Sequence, residues 1–436
     1  MPESILLTGS TGFLGKVVLQ EILRQCKSLN LRSIYLPIRA TSEENAFIRL
    51  KNEIFESPCL RDLKSFREVS ITPVWSDLDK PLLGISEKTL SMISQKITQT
   101  IHCAATVEFD SSLSNSVRTN VGGTLELFHL TKKFLHKPRF TFVSTAYVHT
   151  PASKQHFEER PVLLARPASE IYTEICKGNF SEKDLLRETG QANSYTLSKC
   201  LAEHLLILES RSENLKIVRP SIISACLKHP FPGWIDSGAA FAGFVAMLGT
   251  GKLRAVSARP NILLNVVPCD VVAKEILQIS NRKEEDKDLI RQCVAARESS
   301  LSIKECRHSI TKYFTRNQLS DPPDIRYVGP NGIAFQLADL LFHTIPLLCQ
   351  SLVQYLGRDF AKAKQTRKML KKIWLVNKEF SCFTHHEFDF STALTAVKFA
   401  RDSYLDLICA GLSEHIIKRS KLRRRSKTPE SDQENN

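Results

Sequence analysis

The sequence contains twelve cysteines but no C-x-x-C pair. This absence argues against the paired spacings that are typical of zinc sites and of thioredoxin-like redox centres. The stretch His385-His386-Glu387 lacks the H-E-x-x-H spacing of a metal-binding helix, so no metal site is predicted. We therefore interpret the cysteines as buried, reduced thiols, which are typical of a reducing compartment.

An uninterrupted apolar run long enough to cross a membrane is also missing. The segment 332–357 is rich in Leu, Ile and Phe, but it is interrupted by Asp339, His343, Pro346, Gln350 and Gln354. A bilayer span needs about 20 mostly apolar residues, so a simple transmembrane helix is not predicted. We expect this segment to contact a membrane peripherally or to frame a tunnel for an apolar substrate, the alternative being an ordinary buried helix pair. The basic residues that follow favour an anionic lipid surface: Arg358, Lys362, Lys364, Arg367, Lys368, Lys371 and Lys372.

Acidic residues are too few to balance the basic ones, and the formal net charge is +14. Part of the excess is a run near the C-terminus, and the remainder suits an enzyme that handles phosphates or an anionic membrane surface. Since patterned recognition motifs are absent, no nucleic-acid partner is expected. The stretch 418–436 changes from basic to acidic without an apolar anchor and is predicted to be disordered. The first strand begins almost at once, which leaves no room for a signal peptide and predicts a cytosol-facing location.

The chain begins with a strand, a glycine-rich turn and a helix. Residues 4–8 form a short apolar run, and residues at helical spacing follow a turn of sequence TGSTGFLG. Glycines in this position permit a tight turn and let backbone amides approach a pyrophosphate at the helix N-terminus. The pattern predicts a dinucleotide site, the alternative being a turn that serves packing alone. The predicted cofactor contacts in this turn are Thr8, Gly9, Thr11, Gly12, Phe13, Leu14 and Gly15.

The end of the second strand, 33–38, indicates which dinucleotide is bound. Arg39 follows this strand, where an NAD-selective site usually offers a carboxylate to the ribose 2′-hydroxyl. A cation in that position fits a 2′-phosphate, so NADPH is the predicted cofactor. The alternative is that Arg39 is a solvated loop residue.

Later strand ends and helix starts supply further candidate residues. Asp77 ends the third strand, where it is placed to accept a hydrogen bond from the adenine amine. Ala104 and Ala105 follow the fourth strand and are small enough to let the chain pass beneath the cofactor, and Asn120 is a scaffold residue at the next helix. A lone histidine inside an apolar strand is more often structural than catalytic, so His102 is interpreted as structural. The remaining predicted cofactor contacts are thus Asp77, Leu78, Ala104, Ala105, Asn120, Lys199 and Pro220.

The catalytic candidates lie after the next strand and on a later helix. Residues 140–143 form an apolar strand that delivers Ser144 and Thr145 to its carboxyl end, which is where open α/β sheets place their active sites. Tyr195 and Lys199 are four residues apart, so a helix places both on one face. A nearby ammonium favours the phenolate of a tyrosine whose ordinary pKa is about 10, and a hydroxyl donor aimed at the substrate oxygen completes the site.

The order of these motifs resembles that of extended short-chain dehydrogenases/reductases, and several stretches resemble the fatty acyl-CoA reductase (male-sterility) family. These stretches are 8–16, 101–107, 143–148, 195–203 and 218–223. The most discriminating ones are HPFPGWID at 229–236 and VPCDVV at 267–272, since a sugar epimerase is not expected to carry the first. The resemblance extends over about residues 4 to 280, and more loosely through 337–357 and 380–411.

The resemblance implies both a reaction and a role for each catalytic residue. Thr145 would bind the carbonyl oxygen, Tyr195 would donate the proton, and Lys199 would hold the ribose and lower the pKa of Tyr195. The reaction would be reduction of a long-chain fatty acyl-CoA by NADPH to an aldehyde, with release of coenzyme A, followed by reduction to a primary alcohol. Ser144, Phe231 and Trp234 are expected substrate contacts.

Two other functions are compatible with the same motifs. A hydroxysteroid dehydrogenase would share the cofactor and catalytic residues but bind a rigid ring system. A nonenzymatic NADPH-binding interaction protein would have no chemical need for Thr145, Tyr195 and Lys199 together, so the complete set argues against it.

The predicted fold is a doubly wound parallel sheet of the Rossmann type, with a smaller substrate-binding part and a helical C-terminal region. A cofactor-binding domain is expected over 1–280, with substrate-binding elements at about 220–270. The remainder of the substrate part is expected over 281–360, and a helical domain over 361–417.

Overall fold

The computed structural model describes residues 3–61, 69–107, 111–150, 158–210, 214–282, 289–320, 322, 325–388, 390 and 396–418. Its strands are β1 Glu3–Thr8, β2 Leu31–Arg39, β3 Ser70–Ser76, β4 Gln99–His102, β5 Arg139–Val143, β6 Leu215–Pro220, β7 Ile222–Ser224, β8 Ala255–Ser257, β9 Leu263–Leu264, β10 Val266–Pro268, β11 Ile290–Cys293, β12 Leu301–Ser302 and β13 Tyr327–Gly329.

The α-helices are α1 Phe13–Arg24, α2 Glu43–Arg49, α3 Glu87–Ser94, α4 Leu113–Val117, α5 Gly123–Lys132, α6 Ala168–Lys177, α7 Glu182–Thr189, α8 Ser194–Ser210, α9 Ala240–Gly249, α10 Cys269–Ser280, α11 Ile303–Arg316, α12 Ile333–Asp339, α13 Ile345–Leu356, α14 Phe360–His385 and α15 Arg401–Gly411. Short π-helical or 3-10 turns extend or connect several of them. The chain forms two compact units, of which the first comprises 1–223, 267–297 and 388–398 and the second 224–266, 298–387 and 399–436.

A seven-stranded sheet forms the centre of the first unit. The strand order is β11-β6-β5-β4-β1-β2-β3, and every neighbouring pair is parallel. The order reverses between β1 and β4, and open sheets of this kind bind ligands at the carboxyl ends of the strands beside such a reversal. The predicted doubly wound parallel sheet is thereby confirmed.

Helices cover the sheet on both faces, which explains why its strands are apolar almost throughout. The three central residues of β1, Ile5, Leu6 and Leu7, are fully buried. Helices α1 and α10 pack together, while α4, α5, α6 and α8 pack with one another in the main hydrophobic core. Strands buried on both faces have continuous apolar runs instead of an alternating pattern.

The boundaries of the units differ from the predicted domains. The first unit extends past residue 280, because β11 adds a seventh strand to the sheet and pairs with β6. The segment 388–398 returns to this unit, where Val397 forms a parallel bridge with Ala295. The strand IRQC of β11 has no apolar run, so its pairing was not apparent from periodicity.

The second unit unites the segments that were expected to form separate substrate and helical parts. Helices α13 and α14 pack against each other. Asn377 of α14 holds β8, since its Oδ1 accepts a hydrogen bond from Ser257 N at 3.1 Å and its Nδ2 donates to Ala255 O at 3.1 Å. The second unit thus contains most of the region 361–417 together with parts of the expected substrate-binding region, and a separate domain over 361–417 stays a prediction. Of the tail predicted to be disordered, residues 419–436 lie outside the described part of the chain.

One helical segment in the described part of the chain, Ile333–Leu356, has the length and apolar composition that crossing a bilayer requires, and only 17% of its most apolar window is buried. It consists of α12, a π-helical turn and α13. The exposure of Leu352 and Val353, at 55% and 69%, shows that the interpretation as an ordinary buried helix pair was wrong. Cysteine burial was also predicted incompletely, because Cys176 and Cys349 are exposed free thiols.

Two glycines of the second unit allow a loop and a helix to touch through their backbones. A Cβ atom on Gly411 of α15 would lie 1.8 Å from Gly233 O. We expect Gly411→Ala to destabilise the second unit by about 1–3 kcal/mol, since overpacking against backbone outweighs the helix propensity of roughly 0.5–1 kcal/mol that Ala adds. Urea unfolding measures the change.

Gly238→Ala, also in the second unit, is the matched control for this substitution, because a Cβ atom there would lie 3.6 Å from Ile416 Cγ2, an ordinary van der Waals distance. Its free energy of unfolding should stay within about 0.5 kcal/mol of that of the parent protein. Equal stability of the two variants would contradict the proposed backbone contact.

Candidate active site

The glycine turn between β1 and α1 packs tightly on the chain that follows β4. Gly9 has a φ of +73°, and a Cβ atom on it would lie 2.7 Å from Ala104 N. A Cβ atom on Gly15 would lie 2.0 Å from Gly9 O, while Gly12 N donates to the same oxygen at 2.9 Å. Gly12 caps α1 without a side-chain hydrogen bond, so the first backbone amides of the helix are suited to an anion.

His102 joins this turn to the helical layer through two hydroxyl groups. Thr124 Oγ1 donates to Asn120 O at 2.6 Å, so it accepts from His102 Nε2 at 2.9 Å. His102 Nδ1 therefore accepts from Thr8 Oγ1 at 2.7 Å, and Thr8 Oγ1 in turn accepts from Ala104 N at 3.2 Å. Burial, helped by the charge of Lys199, lowers the pKa of His102 to about 3. The ring is therefore neutral and links parts of the structure, which agrees with the interpretation of His102 as a structural residue.

Asn120 continues this network to the helix that carries Tyr195 and Lys199. Its Oδ1 accepts from Thr106 N at 2.8 Å, and its Nδ2 donates to Thr106 O at 3.1 Å and to Ser198 Oγ at 3.0 Å. Ser198 Oγ then donates to Tyr195 O at 2.8 Å. Because both amide hydrogens are engaged, Asn120 has a scaffold role, and its direct contact with a cofactor stays a prediction.

Helix α8 presents Tyr195 and Lys199 in its first two turns. Asn193 precedes the helix, and its Oδ1 accepts from Thr196 N at 2.9 Å, which satisfies one of the free amides of the first turn. Lys199 Nζ donates to Val143 O at 2.7 Å and lies 4.5 Å from the ring centre of Phe142. The lysine on α8 is therefore fixed at the carboxyl end of β5.

Burial shifts the pKa values of both catalytic candidates on this helix. It lowers the pKa of the Lys199 ammonium to about 8, an effect that Cys103 and Glu203 oppose. It also raises the pKa of Tyr195 to about 12. This direction is opposite to the lowering by Lys199 that the family resemblance implied, because loss of solvent disfavours the phenolate.

The tip of β5 supplies two buried hydroxyl groups. Thr145 Oγ1 accepts from Tyr147 N at 3.3 Å, which leaves its own proton available for donation. Ser144 Oγ is buried and has no hydrogen-bond partner among the described residues. The buried hydroxyls of Ser10 and Ser221 share this property, and they follow β1 and β6. Buried hydroxyls normally have partners, so these three fit a polar ligand along the carboxyl edge of the sheet.

Ser10 and Ser221 were not recognised from the sequence. Both lie within two residues of the carboxyl end of a buried parallel strand, and that placement was the available signal. Their lack of partners depends on the packing of segments distant in sequence, which the local pattern does not contain.

A buried ion pair that sequence reasoning also missed holds α8 against β6. Arg219 Nε donates to Glu203 Oε1 at 2.9 Å, and the two side chains are 0% and 1% exposed. Arg219 Nη1 also donates to Arg160 O at 2.9 Å and to His149 Nε2 at 3.1 Å. Burial and the charge of Arg219 lower the pKa of His149 to about 3. Glu203 lies one helical turn after Lys199, so this pair fixes the helix that bears the catalytic candidates.

The end of β2 carries the residue expected to select the cofactor. Arg39 is exposed, and its carbonyl oxygen accepts a hydrogen bond from Arg49 Nη1. Arg49 is itself paired with Glu53, with Nε 2.6 Å from Oε1, so its charge is compensated. The contact of the Arg39 side chain with a 2′-phosphate stays a prediction.

The other predicted residues lie as follows. Asp77 Oδ1 accepts from Asp79 N at 3.2 Å, and a Cβ atom on Gly123 would lie 2.8 Å from Leu78 O. Pro220 ends β6. The structure brings the candidates on the glycine turn, β4, β5, β6 and α8 to the carboxyl edge of one sheet, while their contact with a cofactor stays a prediction.

Phe231 and Trp234 belong to the second unit. Their rings form an edge-to-face pair with centres 5.5 Å apart, and the ring of His415 lies 4.9 Å from that of Trp234. Trp234 is fully buried, so this arrangement packs the core of the second unit. Its contact with a substrate stays a prediction.

The buried neutral histidines make stability depend on pH. The unfolded chain protonates His102 and His149 near pH 6.5, whereas the folded chain keeps both neutral down to about pH 3. Below pH 6.5 the unfolded chain therefore binds protons that the folded chain does not. The free energy of unfolding is unaffected by these two histidines above pH 6.5, and it falls with the pH below that value, by up to about 1.4 kcal/mol per pH unit for each histidine. We expect His102→Gln to remove the part of this decline that His102 causes, so that the unfolding free energy falls less steeply between pH 6 and 4.

Urea titrations across this pH range measure the decline. The exposed His308 gives the matched control, since His308→Gln should keep the slope of the parent protein. Identical slopes for His102→Gln and His308→Gln would show that His102 is already protonated in the folded state.

Comparison with known proteins places this geometry among related chains. Residues 7–276 match the NAD-binding family described as Male sterility protein. The chain is similar to fatty acyl-CoA reductase 1 of Homo sapiens, with 32% identity over 331 residues, or 73% of this chain and 62% of that protein. The match thus spans less than two thirds of the relative's length.

Two solved structures share the fold. The terminal R domain from the myxalamid PKS-NRPS biosynthetic pathway has a TM-score of 0.66 and 21% identity, covering 97% of this chain and 92% of that domain. UDP-glucose 4-epimerase of Thermotoga maritima has a TM-score of 0.53 and 13% identity, covering 96% of this chain and 99% of the epimerase. At these identities the likeness concerns the fold alone.

Proposed function

This chain belongs to the Male sterility protein family, and we propose that it is an NADPH-dependent reductase of long-chain fatty acyl-CoA. The products are a fatty aldehyde, then a primary fatty alcohol, and free coenzyme A. The observation that carries the proposal is the hydrogen bond from Lys199 Nζ to Val143 O, which joins the Tyr-Lys helix to the strand tip bearing Thr145. The choice of substrate is supported by relatives named fatty acyl-CoA reductases.

The residues present fit a nicotinamide dinucleotide, which supplies a hydride when bound. The amides after Gly12 suit its pyrophosphate, and the partnerless hydroxyls of Ser10, Ser144 and Ser221 offer polar contacts along the sheet edge. Arg39 provides the charge that a 2′-phosphate requires. These features support NADPH as the cofactor.

Tyr195 is in the correct protonation state for reduction. With a pKa of about 12 the phenol holds its proton at neutral pH, so it can donate it to a carbonyl oxygen that becomes an alkoxide. Thr145 donates a hydrogen bond to the same oxygen, and Lys199, mostly charged at neutral pH, stabilises the phenolate that remains.

The reaction balances in two reductions. Addition of one hydride to the thioester carbon and one proton from Tyr195 to its oxygen gives a hemithioacetal. The phenolate of Tyr195 takes back the hydroxyl proton as this species expels coenzyme A as a thiolate, which is a better leaving group than an alkoxide. This step yields the aldehyde and restores the phenol for the second reduction. A second hydride and proton, at the same residues, give the primary alcohol.

The catalytic unit works in a reducing compartment facing the cytosol, consistent with its free cysteines.

Product analysis tests the proposed chemistry. Purified protein with NADPH and palmitoyl-CoA should give free coenzyme A and hexadecanol or its aldehyde by mass spectrometry. Tyr195→Phe should lower kcat by at least about 100-fold, since it removes the proton donor, while the Kd for NADPH changes little.

A keto-steroid is the control substrate and should not be reduced. Oxidation of NADPH by the keto-steroid but not by any acyl-CoA would replace the proposed activity with that of a steroid dehydrogenase. Full activity of Tyr195→Phe would remove the tyrosine from the mechanism.

Cofactor choice is tested separately from turnover. Arg39→Ala should raise the Kd for NADPH by about tenfold or more, because a charge-assisted hydrogen bond contributes about 1.5–3 kcal/mol, and should leave the Kd for NADH nearly unchanged. Fluorescence titration measures both values.

Arg32→Ala is the matched control, since Arg32 is exposed near the opposite end of the same strand. It should change neither Kd. A similar weakening of NADPH and NADH by Arg39→Ala would show that Arg39 does not contact the 2′-phosphate.

A further inference from the structure

The helical segment Ile333–Leu356 of the second unit has its apolar side turned outward. Seven exposed apolar residues at spacings of three or four form one stripe, which we call the outer stripe: Ile333, Leu337, Leu341, Ile345, Leu348, Leu352 and Leu356. Leu352 and Leu356 are 55% and 73% exposed. A surface helix of a globular protein normally turns such a stripe toward the core. Its exposure therefore indicates a contact with an apolar phase or partner.

The opposite side of the segment, its inner face, is polar and bound to the protein. His343 Nε2 accepts from Arg254 N at 2.8 Å, so its Nδ1 donates to Asp339 Oδ1 at 2.8 Å. Ser351 Oγ accepts from Arg367 Nε at 3.1 Å, and Gln354 Oε1 accepts from Thr366 Oγ1 at 2.8 Å. These bonds attach the segment to β8 and α14.

This arrangement fixes the orientation of the segment. Crossing a bilayer would expose the inner face to lipid and would leave His343 and Asp339, as well as the amides of β8, without partners. Polar groups without partners are strongly disfavoured in hydrocarbon. The bound inner face and the free outer stripe are instead the two sides of a helix that lies flat at an interface.

Charges on 358–378, the stretch that follows α13 and packs against it as α14, indicate which interface the outer stripe suits. From 340 to 378 the sequence has one acidic residue, Asp359, which pairs with Lys362. The same stretch has eight exposed basic residues: Arg358, Lys362, Lys364, Arg367, Lys368, Lys371, Lys372 and Lys378. Trp374, 53% exposed, lies with its ring centre 5.1 Å from Lys378 Nζ. An exposed apolar stripe on one helix, with exposed lysines and a tryptophan on the helix packed against it, suits the boundary between the acyl chains and the headgroups of an anionic bilayer.

We propose that α12 and α13 lie in the plane of an anionic phospholipid bilayer, with the outer stripe among the acyl chains and the basic residues of 358–378 near the headgroups. The proposal concerns the second unit alone and does not depend on the reductase chemistry. In a symmetric dimer through the outer stripe, each copy would bring eight basic residues and one acidic residue close to the other copy, so the like charges would repel.

Vesicle sedimentation of the full chain, without cofactor or acyl-CoA, tests the proposal. We expect the partition coefficient to be at least tenfold larger for vesicles of phosphatidylcholine with phosphatidylserine than for phosphatidylcholine alone, and to fall as salt increases. Leu348→Glu combined with Leu352→Glu should lower it at least tenfold. Lys364→Glu combined with Lys368→Glu should abolish the preference for phosphatidylserine.

The matched control is Leu135→Glu combined with Leu208→Glu, which changes two leucines of the first unit that are 69% and 67% exposed. This variant should bind vesicles like the parent protein. If both leucine pairs reduce binding equally, or if the parent protein does not bind anionic vesicles, the proposal is wrong. Light scattering tests the alternative that a second copy of the chain covers the outer stripe. A dimer that Leu348→Glu and Leu352→Glu dissociate would support this alternative and contradict the proposal.

Depth of insertion separates a flat helix from one that crosses the bilayer. Ile345 lies at the middle of the segment, so Ile345→Trp, in a background with Trp75→Phe and Trp374→Phe, reports its depth by quenching with brominated lipids. The signal of the buried Trp234, measured in the background protein, is subtracted. Bromine near the headgroups should quench this tryptophan more than bromine at the bilayer midplane. Stronger quenching at the midplane would mean that the segment crosses the membrane.

Discussion

The hydrogen bond between Lys199 Nζ and Val143 O is the interaction on which the candidate active site depends. It ties a helix side chain to the carboxyl end of a central strand, so the position of Tyr195, one turn earlier, follows from the position of the sheet. The ion pair of Arg219 with Glu203 holds the same helix one turn later. Both contacts are buried, where they are shielded from solvent and salt.

Neutral hydrogen bonds complement these charged contacts on the other side of the site. The directed chain through Thr8, His102 and Thr124 links the glycine turn to the helical layer, and Asn120 extends it to Ser198 on the catalytic helix. Because each hydroxyl both accepts and donates, no member of the chain needs a charge. The turn proposed to bind the cofactor and the helix with the proposed proton donor are thus parts of one hydrogen-bonded network.

Local patterns predicted the glycine turn and the placement of Tyr195 and Lys199 on one helix face, because each depends on residues a few positions apart. The parallel sheet was predicted from the order of the motifs along the chain. Other features depend on contacts between distant segments. Arg219 and Glu203 carry no sign of their pairing in the sequence, and the burial that raises the pKa of Tyr195 comes from the surrounding fold. The segment 332–357 was recognised as apolar from its composition, but only the structure shows that it is helical and that its polar side faces the protein.

The return of segment 388–398 to the first unit affects when the contacts of that unit can form during synthesis. Val397 N donates to Val294 O at 2.9 Å, and Ala296 N donates to Val397 O at 2.8 Å, so the region after the seventh strand is completed by residues that leave the ribosome about a hundred positions later. The phenyl rings of Phe388 and Phe390 also pack on Tyr147, with centres 5.0 and 6.0 Å away. These contacts of the first unit can therefore form only after most of the second unit has been translated.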